Sequence, residues 1–199
     1  MSAFRFIDHP EALNDLVADW AGAPWIGLDT EFVRERTYYA RLCLIQLAGP
    51  KGVAVVDPIA LRDWTALFAL LDDPGSVKIL HAAGQDLELL HQARPGRLPA
   101  PLFDTQIAAA LLGHPPQSGY GALVQKTLGI TLPKLHTRSD WSRRPLSDAE
   151  LAYAADDVRH LATLHDRLTA DLQRQGRLSW VEAEHAALAD PARYRIDPE

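Results

Sequence analysis

The sequence contains almost no cysteine and no long apolar run. Cys43 is the only cysteine among 199 residues, so the chain cannot form an internal disulfide, which fits a reducing compartment. No apolar stretch approaches the roughly 18 residues that a membrane-spanning helix needs, and residues 1–6 contain no apolar signal core. We therefore expect a soluble cytoplasmic protein that has no membrane partner.

An excess of positive charge is also missing. The formal net charge is −6, so no general attraction to polyanions is expected. A nucleic-acid ligand would need metal ions or local arginine and lysine side chains to supply the positive charge. Repeats and low-complexity tracts are absent as well, and the hydrophobic fraction of 47% is that of an ordinary globular domain with a sizeable core.

The order of the apolar segments predicts a mixed α/β domain. Strands at residues 25–32, 40–48 and 53–56 are joined by short connections, which indicates an antiparallel three-strand meander. Helices and short strands then alternate, which favours a single mixed sheet with helices on both faces. The other predicted elements are helices at residues 11–20, 61–71, 85–92, 105–112, 119–128 and 178–189, and strands at residues 77–80 and 102–103.

A long helix is predicted to begin at Ser147 and to continue until Gly176 stops it. Ser147 followed by Glu150 is a capping-box pattern, in which each side chain bonds the backbone of the other residue. The preceding residues 132–145 are polar and basic and show no periodicity. We expect them to form an ordered loop rather than a linker, because they include Trp141.

Asp29 and Glu31, at the end of a predicted buried strand, are the strongest chemical signal in the chain. Residues two apart in a strand point to the same side, so the two carboxylates are presented together. Close carboxylates repel each other and are costly to desolvate, and a divalent cation such as Mg²⁺ or Mn²⁺ removes both costs. The pair alone is equally compatible with two solvated acids.

Two later segments contain acids that could reach the same place. Asp86 follows a turn of small residues and falls in the first turn of a helix, where it could instead serve as a capping carboxylate. Tyr153 and Asp157 lie one turn apart on one face of the long helix. The alternative is that Tyr153 packs in the core and Asp157 is solvated. Asp156 is expected to be solvated and to have no role.

Together these segments resemble the ribonuclease D family of the DEDD exonuclease superfamily. The resemblance extends from about residue 23 to about residue 168 and includes Leu44-Ile45-Gln46-Leu47 and Phe103-Asp104-Thr105-Gln106 between the motifs. Ala152 stands where the His subtype has a histidine, which leaves the Tyr subtype. The three motifs are Asp29-Thr30-Glu31-Phe32, His81-Ala82-Ala83-Gly84-Gln85-Asp86 and Tyr153-Ala154-Ala155-Asp156-Asp157-Val158.

The resemblance implies an RNase H-like exonuclease fold and metal-dependent 3′→5′ hydrolysis of RNA to nucleoside 5′-monophosphates, in the 3′ processing of tRNA or other small structured RNA. Asp29, Glu31, Asp86 and Asp157 would hold two divalent cations, Mg²⁺ or Mn²⁺, with Asp29 between them, and Tyr153 would orient the attacking water. A DNA exonuclease of the same chemistry and, less favoured, an inactive RNA-binding domain are the alternatives.

Substrate contacts are expected around these motifs. Thr30 and Phe32 belong to the first motif, and Lys134 and Arg144 are the best candidates for phosphate contacts in the basic loop. The expected partner is a single-stranded, tRNA-like RNA 3′ end, with single-stranded DNA as a further possibility. Ribonuclease D usually continues into HRDC-type domains. We expect residues 1–199 to form only the exonuclease domain, and whether the chain is naturally short stays open.

Overall fold

A six-stranded mixed sheet forms the centre of the protein, with the strand order β1-β4-β3-β2-β5-β6. The computed structural model describes residues 4–34, 39–133 and 139–195. The strands are β1 (Arg5–Ile7), β2 (Trp25–Val33), β3 (Arg41–Gly49), β4 (Gly52–Val56), β5 (Val77–Leu80) and β6 (Leu102–Asp104).

The predicted antiparallel meander is confirmed in β2, β3 and β4. β5 pairs parallel to β2, and β6 pairs parallel to β5, so the sheet is mixed as expected. The sequence patterns missed β1, which pairs parallel to β4, because three residues are too few to show a period of two. β2 therefore lies inside the sheet, between β3 and β5.

Helices cover both faces of the sheet. One apolar core includes Leu44, Val158 and Leu164, and the core on the opposite face includes Leu28 and Leu87. Within the three described ranges, no helix has the length and apolarity that crossing a membrane requires. The helices are α1 (Pro10–Trp20), α2 (Pro58–Leu61), α3 (Phe68–Leu71), α4 (Gly84–Ala93), α5 (Thr105–Leu111), α6 (Tyr120–Leu128), α7 (Asp148–Arg159), α8 (Leu161–Arg174) and α9 (Leu178–Leu188).

The prediction of one helix over residues 61–71 is wrong. The chain there forms the end of α2, a 3₁₀ turn at Thr65–Leu67 and the short α3. Arg62 ends α2 with φ at 58°, in the left-handed region. The carboxylate of Asp63 then accepts the backbone N–H of Thr65 at 2.9 Å and its hydroxyl at 2.8 Å. Such local side-chain bonds compete with the helical ladder.

The predicted long helix is two helices, α7 and α8, which meet at His160. The hydroxyl of Tyr120, from α6, accepts the N–H of His160 at 3.0 Å and donates to the carbonyl of Asp156 at 3.3 Å. A side chain from another helix thus satisfies the backbone groups at the break. The predicted beginning of α7 is confirmed, because Ser147 and Glu150 form the capping box.

Candidate active site

Asp29 and Glu31 leave β2 on the face of the sheet that α7 and α8 cover. Asp29 lies opposite Gln46 of β3, and Glu31 lies opposite Leu44, which belongs to the core beneath α7. The register between β2 and β3 shifts directly after Glu31. Irregularities of this kind re-aim side chains next to functional sites, and here the regular pairing ends at the second carboxylate.

Asp157 of α7 joins this pair to form a cluster of three carboxylates. One oxygen from each of Asp29, Glu31 and Asp157 lies within 4.8 Å of the other two. The approach of α7 to the sheet is close because Ala154 and Ala155, which face it, are small and fully buried. Two predicted motifs that are far apart in the chain are therefore brought together, with each side chain half-buried.

Asp86 lies beside the cluster rather than in it, since the group of mutually close oxygens found within the described ranges does not include its carboxylate. Asp86 is buried in the first turn of α4, and it accepts a hydrogen bond from the hydroxyl of Thr30 at 2.5 Å. Alternate residues of a strand point to opposite faces. β2 thus presents Asp29 and Glu31 on one face, while Thr30, between them in the strand, binds the carboxylate of Asp86.

Burial raises the pKa of all four acids. The pKa of Glu31 is raised to about 8, first by burial and then by the charges of Asp157 and Asp86. Burial also raises the pKa of Asp86 to about 7 and that of Asp157 to about 7. The pKa of Asp29 is raised well above its usual range by burial and by the other three carboxylates.

Burial is the largest cause of all four shifts, and repulsion by the neighbouring carboxylates adds to it for Asp29 and Glu31. A divalent cation between the carboxylates would offset both the repulsion and the loss of hydration. Oxygen-only donors of this kind suit Mg²⁺ and Mn²⁺ rather than the softer metals that prefer nitrogen and sulfur. The residues present therefore fit a divalent metal centre.

Tyr153 lies one helical turn before Asp157. Its ring stacks on Trp141 with the centroids 6.3 Å apart and the planes 25° apart. Trp141 is buried, which confirms that the described part of the loop before α7 is ordered around it. Burial, followed by the charges of Asp157 and Glu31, raises the pKa of the Tyr153 phenol above its usual value. The hydroxyl is therefore neutral at pH 7 and able to donate a hydrogen bond.

Asp156, the residue before Asp157, forms an ion pair instead of joining the cluster. Its carboxylate accepts a hydrogen bond from Nε of Arg159 at 2.8 Å, within an ion pair on the same helix. The charge of Asp156 also contributes to the raised pKa of Asp157. Asp156 is therefore partly buried and paired rather than fully solvated, and it does not belong to the carboxylate cluster.

Two of the predicted substrate-contact residues, Arg144 and Thr30, form hydrogen bonds within the protein. Arg144 donates its five N–H groups to Asp57 and to the backbone carbonyls of Cys43, Trp141 and Arg143. The Thr30 hydroxyl donates its hydrogen bond to Asp86, and Phe32, the residue after Glu31 in β2, is half-buried. Lys134 lies outside the described residues.

Sequence reasoning missed two polar residues close to these acids. Gln46, opposite Asp29, is fully buried, and its amide has no hydrogen-bond partner among the described residues. Asp104 is also buried, and it binds the backbone turn that precedes Asp86. Both residues belong to segments that carried the family resemblance, which was the only available signal for them.

Three acids brought together at the end of an inner strand of a mixed sheet form the kind of oxygen-ligand site that metal-dependent nucleases use. The sequence model of the 3′-5′ exonuclease family matches residues 4–173, and the chain belongs to this family. The chain is 51% identical over 190 residues to ribonuclease D of Gluconacetobacter diazotrophicus, with 95% of this chain and 48% of the relative covered. The chain spans about half the length of the curated relatives it matches.

Solved structures of relatives confirm the predicted RNase H-like exonuclease fold. The crystal structure of Escherichia coli RNase D matches with a TM-score of 0.91 and 38% identity, over 98% of this chain and 52% of that one. Brucella melitensis NrnC with bound Mg²⁺ matches with a TM-score of 0.81 and 30% identity, over 98% and 92% of the two chains. NrnC bound to pGG matches with a TM-score of 0.83.

Proposed function

We propose that this chain is a metal-dependent 3′→5′ exoribonuclease that releases nucleoside 5′-monophosphates from the 3′ ends of tRNA or other small structured RNA. The observation that carries the proposal is the cluster of Asp29, Glu31 and Asp157, with their oxygens within 4.8 Å. The similarity to E. coli RNase D, an exoribonuclease involved in structured RNA processing, supports RNA as the substrate.

Four acids would hold the metal in this proposal. Asp29, Glu31 and Asp157 would hold one divalent cation, and Asp86 together with Asp29 would hold a second, each being Mg²⁺ or Mn²⁺. Bound cations of this kind activate a water and neutralise the charge on the leaving oxygen. The position of Asp86 beside the cluster supports a contact through water, because Mg²⁺ keeps part of its hydration shell.

Tyr153 would orient the attacking water. Its position on α7, one turn before Asp157, places it on the same helical face as that carboxylate. Burial raises the pKa of its phenol, so the hydroxyl is too weak an acid to become a base at pH 7. Its role is therefore to hold the water by a hydrogen bond, while Trp141 packs against its ring and restricts the side chain.

Arg143 is the stronger described candidate for a phosphate contact from the loop before α7. Its side chain is 64% exposed and contacts Glu150 only at 3.5 Å, whereas the donors of Arg144 are all used within the protein. Contacts by Lys134, Phe32 and Thr30 stay predictions. The identity of the terminal base should matter little, because an end-trimming enzyme holds the backbone and stacks the bases.

The test uses RNA and DNA oligonucleotides of one sequence, each labelled at the 5′ end, with Mg²⁺, with Mn²⁺ or with EDTA. The expected result is a ladder of products shortened one nucleotide at a time from the 3′ end of the RNA. EDTA should abolish the ladder, and a 3′-terminal phosphate should block it, because an added dianion would be repelled by the carboxylates.

Other results would decide between the alternatives. Faster shortening of the DNA would favour the DNA exonuclease, since preference for RNA needs a contact to the 2′-hydroxyl. Binding of RNA without hydrolysis, under every metal condition, would favour the inactive RNA-binding domain. Cleavage of a circular RNA would show an endonuclease and would contradict the proposed attack at the 3′ end.

A further inference from the structure

Asp104, the last residue of β6, binds the backbone of the turn that leads to Asp86. Its Oδ1 accepts the N–H of Ala82 at 3.1 Å, and its Oδ2 accepts the N–H of Ala83 at 2.9 Å. Asp86 follows three residues later, in the first turn of α4. One carboxylate therefore holds both of the consecutive amides through which the chain enters this helix.

The beginning of α4 depends on this external partner. The N-cap residue of α4 is Ala83, which has no side chain able to accept a hydrogen bond. Ala82 adopts φ at 57°, a region that is unfavourable for a residue with a β-carbon. The carboxylate of Asp104 satisfies donors that the helix leaves open and holds Ala82 in its strained conformation.

Asp104 is itself held firmly in place. Its side chain also caps α5, by accepting the backbone N–H of Gln106 at 2.8 Å and that of Ile107 at 3.3 Å. Its own N–H donates to Nε2 of His185, on α9, at 2.9 Å. The residue is 3% exposed. Bonds from β6, α5 and α9 thus fix the carboxylate, so the turn it binds is fixed as well.

We propose that Asp104 is a positioning residue for Asp86. Asp104 holds the first turn of α4 from one side, while the Thr30 hydroxyl holds the Asp86 carboxylate from the other. Together they set where this carboxylate stands relative to Asp29. The inference rests on the proposed function, in which Asp86 binds metal, and loss of partners that orient such ligands typically costs about 10–100-fold in metal affinity or activity.

Asp104→Asn tests this role, because the amide keeps the size of the side chain but can accept hydrogen bonds through only one oxygen. Three quantities are measured: Mn²⁺ affinity by calorimetry without substrate, the Mn²⁺ dependence of single-turnover RNA hydrolysis, and the melting temperature. We expect Mn²⁺ binding at least about tenfold weaker. The rate at saturating Mn²⁺ should fall less than the rate at limiting Mn²⁺.

Asp57→Asn is the matched control. Asp57 is also a buried aspartate that caps a helix, through the N–H groups of Ile59 and Ala60 in α2, but it does not contact the turn before Asp86. Its substitution should lower the melting temperature and leave Mn²⁺ affinity unchanged. Ala82→Gly combined with Asp104→Asn should restore part of the Mn²⁺ affinity, because glycine adopts a positive φ without strain.

An Asp104→Asn protein that melts earlier but binds Mn²⁺ like the wild type would overturn the positioning role. If Asp104→Asn does not fold, the double variant with Ala82→Gly is measured instead. Failure of both to fold would show that Asp104 supports the whole domain, which also overturns the inference. Asp86→Asn distinguishes failure of this inference from failure of the proposed function. Wild-type turnover in that variant would contradict the proposed function itself, whatever the result for Asp104→Asn.

Discussion

Arg144 and Asp57 form a bidentate ion pair across 87 residues of sequence, with Nε donating to Oδ2 at 2.6 Å and Nη2 donating to Oδ1 at 2.8 Å. Burial alone would raise the pKa of the Asp57 carboxyl, but its bonds to Arg144 and to the N–H groups of α2 hold it below its usual value. The pair ties the loop before α7 to the beginning of α2.

Arg144→Lys should therefore affect stability more than substrate binding. Lysine keeps the charge but loses the fork of donors, and we expect a decrease in the free energy of unfolding of roughly 2–3 kcal/mol, measured by urea denaturation. Arg143→Ala is the control, with a stability change within about 0.5 kcal/mol and weaker RNA binding. Unchanged stability with weakened RNA binding in Arg144→Lys would instead favour a phosphate contact.

Asp29→Asn should abolish hydrolysis while leaving the fold intact. In EDTA the variant should melt above the wild type, because the amide replaces one of several close carboxylates that repel each other. Mn²⁺ should stabilise the wild type, by about 2.7 kcal/mol at a concentration 100 times its dissociation constant, and should stabilise the variant much less. Thermal melts with and without Mn²⁺ measure both effects, and full turnover by the variant would rule out the ligand assignment.

Tyr153→Phe removes one hydroxyl and keeps the ring that packs on Trp141. Metal binding should survive, while the single-turnover rate at saturating Mn²⁺ should fall on the order of 10²-fold, as for other positioned polar groups. Asp156→Asn should cost little, because Asp156 pairs with Arg159 and does not belong to the cluster. If Asp156→Asn were inactive and Asp157→Asn active, the assignment of the acid in the third motif would be wrong by one residue.

Because of Lys78, we expect the free energy of unfolding to change with pH in the alkaline range. The side chain is fully buried, and its ammonium donates to the carbonyls of Asp73 and Ser76, each at 2.6 Å. Burial lowers the pKa of Lys78 to about 8. In the unfolded chain the pKa of lysine is about 10.4. Between these two pKa values the unfolded chain binds more protons than the folded protein, so the free energy of unfolding increases as the pH rises.

Lys78→Met isolates this contribution. The free energy of unfolding of the wild type minus that of the variant should increase between pH 8 and 10, by on the order of 1–3 kcal/mol. Below pH 8 the difference should be constant, because Lys78 is charged in both states there. A difference that stays flat across the whole range would show that the buried ammonium keeps its ordinary pKa.

The sequence predicts the elements whose signals are local. The meander and the capping box at Ser147 follow from periodicity and short connections, and the structure confirms them. The breaks at Arg62 and His160 could not be predicted in this way. The second depends on the Tyr120 hydroxyl, which comes from 40 residues earlier in the chain. Family resemblance, and not spacing, placed Asp157 with Asp29.

Hydrogen-bond partners that lie far apart in the sequence could not be predicted either. The sequence pattern of a polar loop does not show whether the guanidinium of an arginine contacts a substrate or, as in Arg144, a buried carboxylate. The bond from Asp104 to Ala83 likewise joins residues from separate elements and has no local pattern. The extent of the domain over residues 1–199 and the cytoplasmic location stay predictions.

The proposed metal ligands enter the structure in the order β2, α4 and α7, and this order has a consequence for synthesis of the protein. A chain grows from its N-terminus, so Asp29, Glu31 and Asp86 are made well before Asp157. Until α7 has left the ribosome and packed on the sheet, the three-carboxylate cluster is incomplete. The order of the ligands in the chain therefore delays assembly of the proposed metal centre until this helix has packed on the sheet.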